Sequence, residues 1–83
     1  MTKKDKNFDI TIARWLAKLR VEKTVSQEYL AVQLGKGQSD IAKIESGSKK
    51  VTVIELLSWM AALDIPYERI NEIFPSIYND LST

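Results

Sequence analysis

Apolar residues recur along this chain in short runs at helical spacing, divided by glycine, proline and polar punctuation. Five helices read off that pattern, which predicts an all-α fold and a compact five-helix bundle. Ile12, Trp15, Leu16 and Leu19 stand at i, i+3, i+4 and i+7, the core-facing stripe of a first helix over about Asp9–Lys23. Asp9 suits its cap or first turn, and Arg20 and Lys23 suit the negative end of its dipole. Ser26 is placed to cap a second helix, Gln27–Leu34, whose inner face is Leu30, Ala31 and Leu34. Gly35 supplies the left-handed residue that a helix stop requires. A third helix, about Gln38–Ser46, has only Ile41, Ala42 and Ile44 as apolar residues, so one side is buried and the rest is wet; Gly47 stops it. Thr52 and Glu55 spell a capping box at the start of the fourth helix, and Val51 with Leu56 a hydrophobic staple. From Val53 to Leu63 this helix is apolar almost all round, which calls for burial on more than one side. In so small a domain the additional side is expected to face another chain. Pro66 suits the first position of a fifth helix, and Pro75, after Phe74, is read as its end.

The second and third of these helices are too short to stand alone in water. Joined by a tight glycine-containing turn, Gln27–Gly47 fits one known unit, the DNA-binding helix-turn-helix.

Composition narrows the chemistry. With 83 residues the chain is one small domain, 45% hydrophobic. It has no cysteine and no histidine, which removes disulfides, thiolate and imidazole metal ligands and the commonest general base. The remaining carboxylates, lysines and hydroxyls form no catalytic set, so neither an enzyme nor a metal or other cofactor is expected. No apolar run approaches the roughly 20 residues of a membrane span. The segment MTKKDKNFDI lacks the apolar stretch of a signal peptide, and a cytoplasmic location is expected.

The net charge of +1 hides an asymmetry. Residues 1–50 hold 11 Lys+Arg and 6 Asp+Glu, a balance of 11 − 6 = +5, and residues 51–83 hold 1 Arg and 5 Asp+Glu, a balance of 1 − 5 = −4. The basic half contains the helix-turn-helix, as suits a surface that meets a polyanion. Residues 1–8 are read as a flexible basic arm. Residues 9–83 are read as one helix-turn-helix domain with a C-terminal dimerisation segment.

A set of residues then matches a family. Leu19-Arg20, Ser26-Gln27-Glu28, Leu30-Ala31, Leu34-Gly35, Gln38-Ser39, Ile41, Lys43-Ile44-Glu45, Gly47, Leu56, Leu63 and Ile65 resemble the helix-turn-helix domain of the phage repressor and Cro class, the XRE family. The resemblance covers about residues 10–74 and implies a lambda-repressor-like DNA-binding bundle. The chain also looks like the small stand-alone regulators of this family; restriction–modification controller proteins and some antitoxins are of this size. Two positions depart from the pattern. Lys36 stands where a small apolar residue is usual, and Gly37 where Ser or Thr is usual.

The resemblance implies roles for particular residues. The third helix would lie in the major groove with Gln38 on a base edge, where Gln suits adenine N6 and N7. Ser39 shares that face and can bond a base or a phosphate. Lys43 reaches either guanine O6/N7 or the backbone. Asp40 can accept from cytosine N4, but an acid in the first turn also serves its own helix dipole, which is the preferred reading. Gln27 is implied to bond a phosphate and to brace Gln38. Lys36, Lys49 and Lys50 suit phosphate contacts. Lys3, Lys4 and Lys6 suit an arm along the duplex, though an arm that makes no contact is preferred. Arg20 and Glu45 are implied to pair between the first helix and the end of the third. Trp15 is assigned to the core, and Trp59 to the core or to a dimer interface.

The leading expectation is therefore a sequence-specific transcriptional regulator that binds a palindromic double-stranded operator as a homodimer. No small-molecule ligand is expected. Apolar surface left after a core is built, Ile54, Leu57, Ala61, Ile73, Phe74, Ile77 and Tyr78, predicts the interface with the second copy. The alternative is an antitoxin or adaptor whose main partner is another protein, with DNA binding secondary.

Overall fold

The computed structural model of the chain describes residues 3–82, with side chains from Phe8 onward. Five α-helices and one 3-10 helix follow in order: α1 Lys3–Glu22, α2 Gln27–Leu34, α3 Gln38–Glu45, α4 Val53–Ala62, the 3-10 turn Tyr67–Glu72 and α5 Phe74–Leu81. There is no strand among the described residues. The helix α1 starts at Lys3, ahead of the apolar stripe that marked it, so Asp9 lies inside the helix and not at its cap. Of the expected arm, Met1 and Thr2 lie outside the described residues, as do the side chains of Lys3, Lys4 and Lys6.

The helix starts follow local chemistry. The Tyr29 N–H donates to Ser26 Oγ at 3.0 Å, satisfying one of the orphan donors of α2. At α4 the bonds are reciprocal: Glu55 N–H donates to Thr52 Oγ1 at 3.1 Å, and Thr52 N–H donates to Glu55 Oε1 at 3.0 Å.

The ends of α1 to α4 share one device. Each is followed by a residue at positive φ: Thr24 at 56°, Gly35 at 66°, Gly47 at 79° and Asp64 at 57°. The next N–H then reaches back to a carbonyl of the last turn, Val25 to Arg20, Lys36 to Ala31, Ser48 to Lys43 and Ile65 to Met60. This closure satisfies carbonyls that would otherwise face away from any donor. After α1 and α4 the residue making the bond is apolar, and Val25 and Ile65 fold inward against the core.

That core is built by Leu16 and Leu19 of α1, Leu30 of α2, Ile41 and Ile44 of α3, and Trp59 and Met60 of α4, all fully buried. The Trp59 indole N–H donates to the Leu16 carbonyl at 3.0 Å, so the one polar atom of the largest buried side chain is satisfied. Trp59 is thus a core residue of the single chain. Trp15 is also buried, and its indole N–H donates to Glu72 Oε1 at 2.9 Å. Arg69 completes this second anchor. Its Nε donates to Glu72 Oε2 at 2.6 Å and its Nη2 to Glu22 Oε1 at 3.2 Å, which ties the 3-10 turn to the end of α1.

The C-terminal region differs from the sequence pattern. No α-helix runs from Pro66 to Phe74. Tyr67–Glu72 winds as a 3-10 helix, and Pro75 opens α5 in its first turn instead of ending a helix. Ile70 and Ile73 both pack against the core, and a spacing of three suits the 3-10 period. Proline lacks only an N–H that a first turn leaves unpaired, so it is as compatible with a start as with a stop. Helix α5 packs chiefly on the 3-10 turn. No helix of the described residues is long and apolar enough to cross a membrane.

Candidate nucleic-acid interface

Helices α2 and α3 pack tightly on each other, joined through Gly35, Lys36 and Gly37. Leu30 and Ala31 on one side, with Ile41 and Ile44 on the other, bury the inner faces of the pair. What α3 leaves outside is polar. Gln38, Ser39, Lys43 and Ser46 are exposed, at spacings that place them on one face.

A continuous hydrogen-bonded chain fixes the start of that face. Arg20 donates through Nε to Glu45 Oε2 at 2.6 Å and through Nη2 to Glu45 Oε1 at 3.1 Å. A third bond, from Arg20 Nη1 to the Val25 carbonyl at 2.7 Å, pins the loop before α2. Glu45 Oε1 also accepts from Gln27 Nε2 at 2.9 Å. Gln27 Oε1 in turn accepts from Gln38 Nε2 at 2.6 Å. The chain thus runs from α1 to the last residue of α3, to the first residue of α2, and back to the first residue of α3. The Arg20–Glu45 pair is mostly shielded, with side chains 15% and 9% exposed. Breaking such a pair by removing one partner strands the other.

Asp40 turns back towards its own helix start. Its Oδ2 accepts from the Gly37 N–H at 3.3 Å, in the position where a capping side chain is missing. The carboxylate therefore does helix-start work, and it is half-buried. Lys36 reaches across to α4, its Nζ 3.4 Å from Glu55 Oε2, with Lys49 Nζ 3.9 Å from the same oxygen. The Glu55 carboxyl is held below its ordinary value, first by the Thr52 backbone N–H and then by Lys36. Lys50 is exposed.

The apolar residues outside the core fall on α4 and α5. Ile54, Leu57 and Ala61 are exposed along one side of α4, at i, i+3 and i+7. Phe74 and Tyr78 are exposed on α5, and Ile77 is half-buried between them. Ile73 packs against the core of its own chain.

Two features were outside the reach of the sequence pattern. One is the bond from Gln27 to Glu45, which extends the brace on Gln38 to a charged anchor. The other is Glu55 as the shared partner of Lys36 and Lys49; its capping role was legible locally, but its neighbours arrive from other elements.

Among curated proteins no match was found. A protein-family model described as helix-turn-helix matches residues 16–70. Among solved structures, the crystal structure of the restriction-modification controller protein C.AhdI from Aeromonas hydrophila is similar. It shares 31% identity at a TM-score of 0.69, over 74% of this chain and 88% of that one. The chain belongs to the XRE-type helix-turn-helix family and is a DNA-binding regulator.

Proposed function

We propose that the chain regulates transcription by binding a palindromic operator as a homodimer, with α3 in the major groove of each half-site. The observation that carries this reading is Gln38, exposed at the start of α3 and braced by Gln27. One amide edge remains free to meet adenine N6 and N7. Ser39 and Lys43 extend the same face towards neighbouring bases or phosphates. Gln27, Lys36, Lys49 and Lys50 supply phosphate contacts; for Lys36 and Lys49, phosphate competes with Glu55. The likeness to a restriction-modification controller protein supports a regulator of that kind.

A palindromic operator calls for two copies on geometric grounds. Half-sites one helical turn apart lie about 34–36 Å from each other. The eight residues of α3 span only about 12 Å at 1.5 Å per residue. A two-fold pair presents the same patch from each copy. Ile54, Leu57 and Ala61 of α4, with Phe74, Ile77 and Tyr78 of α5, are apolar residues left outside the core in the acidic half and are the candidates for the contact between copies, with Ile73 beside them at the edge of the core. Selection of bound DNA from a random pool tests the proposal and yields the half-site. Gln38→Ala is then expected to lose about 1–3 kcal/mol on the selected site and to relax discrimination at one base pair. Equal loss on selected and random DNA would remove Gln38 from the reading role.

A further inference from the structure

We propose that Glu45, half-buried behind the proposed reading surface, sets which base Gln38 accepts by fixing the polarity of two amides in series. The inference rests on the reading role of Gln38 proposed above.

An ionised carboxylate only accepts hydrogen bonds. Arg20 holds the Glu45 carboxylate in place, with two bonds to its oxygens. Whatever meets Glu45 Oε1 from α2 must therefore donate, and Gln27 turns its Nε2 to it at 2.9 Å. That choice leaves the Gln27 oxygen as the atom facing α3. Gln38 must then donate as well, and does so from Nε2 at 2.6 Å. One N–H and the oxygen of Gln38 remain for DNA, in a fixed left-to-right order. A Gln on an unbraced helix turns its amide over freely and can offer either order, so it fits an acceptor at a given point as readily as a donor. The braced Gln38 cannot turn over without placing two N–H groups or two oxygens against each other somewhere along the series. The carboxylate at one end of α3 thus decides the donor–acceptor order at the other end, through a residue of α2. Glu45 is a positioning residue: it touches no base, and its effect is on the ratio of affinities between bases.

A glutamine at position 45 removes this constraint, because its amide both donates and accepts. The experiment measures affinity for the selected operator and for the three other base pairs at the position that Gln38 reads. Four proteins are compared: wild type, Gln38→Ala, Glu45→Gln and Gln27→Ala. Gln27→Ala interrupts the series but leaves the Arg20–Glu45 pair intact, so it serves even if Glu45→Gln fails to fold. Both Glu45→Gln and Gln27→Ala are expected to lower discrimination at that position by about fivefold, the worth of one correctly polarised hydrogen bond. Ratios at other positions should stay as in the wild type. A merely structural role for Glu45 predicts a different result, a lower melting temperature and an equal loss on every sequence. If Gln38→Ala relaxes the position while the other two variants keep the wild-type ratio there, the polarity relay is overturned and the reading role stands. If Gln38→Ala relaxes no position, the reading role itself fails, and the relay with it.

Discussion

Gly35 and Gly47 both end helices at positive φ, yet replacing each with alanine should give different results. At Gly35, with φ 66° and ψ 33°, the backbone lies inside the left-handed region open to ordinary residues, and an added Cβ meets nothing within 4 Å. An L-residue held there costs about 1–2 kcal/mol, and restriction of the unfolded chain by alanine offsets about 0.4–1 kcal/mol of that. A net loss of about 1 kcal/mol is expected. Gly47, at φ 79°, carries the same conformational term, but its Cβ would sit 3.3 Å from Ile10 Cγ1 and 3.6 Å from Ile10 Cα on α1. Crowding of that kind adds about 1–3 kcal/mol, for a total of roughly 2–4 kcal/mol. A domain of this size has a stability on the order of 4–12 kcal/mol, so Gly47→Ala consumes a large share and Gly35→Ala a small one. Urea titration followed by circular dichroism gives both values from the midpoints at constant slope. By the usual scaling the two melting temperatures should fall by about 4–8 °C and by roughly 10–30 °C. Equal losses, or a larger loss at Gly35, would show that the approach of α1 to the end of α3 does not govern this position.

Three further outcomes are expected. Phe74→Glu places a charge in the proposed dimer face at a cost of several kcal/mol to association; sedimentation should report a monomer with unchanged helical circular dichroism, and a persistent dimer would move the interface elsewhere. Binding to the selected operator should weaken with salt at a slope near −0.9 per neutralised phosphate, with about six or more phosphates per dimer; a flat response would exclude the basic half as the DNA-facing surface. Stability should fall on acidification. The carboxyl of Glu55 lies below 4.5 because of the Thr52 backbone N–H, and those of Glu22 and Glu72 lie below it because Arg69 donates to them. The unfolded chain takes up protons first, so their contribution is complete above 4.5 and is lost as the pH drops through the lower folded values. Urea midpoints should follow that course, with a shallower decline for Glu55→Gln; a midpoint that rises on acidification would contradict the assigned bonds.

What the sequence disclosed was local. Ser26, Gly35 and the Thr52–Glu55 pair act on backbone groups within three or four residues, so their roles can be read along the chain. The all-helical class and the recognition pair followed from those marks together with the apolar spacing. The ends of α1 and α4 gave no such mark, because Thr24 and Asp64 hold positive φ where glycine is usual. The start of α1 was set too late because KKDKN carries no apolar stripe to count. Pro75 was ambiguous in principle, since a missing N–H is harmless at a helix start and disruptive inside one. The Trp15–Glu72 and Trp59–Leu16 bonds join positions far apart in the chain and leave no periodic trace. At the candidate interface, the exposed face of α3 was legible from its polar residues. The shared use of Glu45 by Arg20 and Gln27 was not, because it depends on how three elements converge.

The face of α3 is divided between bound and unbound side chains. Gln38 belongs to the braced series, and Asp40 to its own helix start. Ser39 and Lys43 are exposed and take part in neither. A change at either position breaks no side-chain hydrogen bond of the scaffold, whereas a change at Gln38 disturbs Gln27 and, behind it, Glu45. With α3 reading DNA as proposed, a lineage of such proteins can diversify its targets by changing Ser39 and Lys43 one at a time while inheriting the same anchored glutamine. Relatives with this architecture should share one invariant base pair in their half-sites and differ at the neighbouring ones.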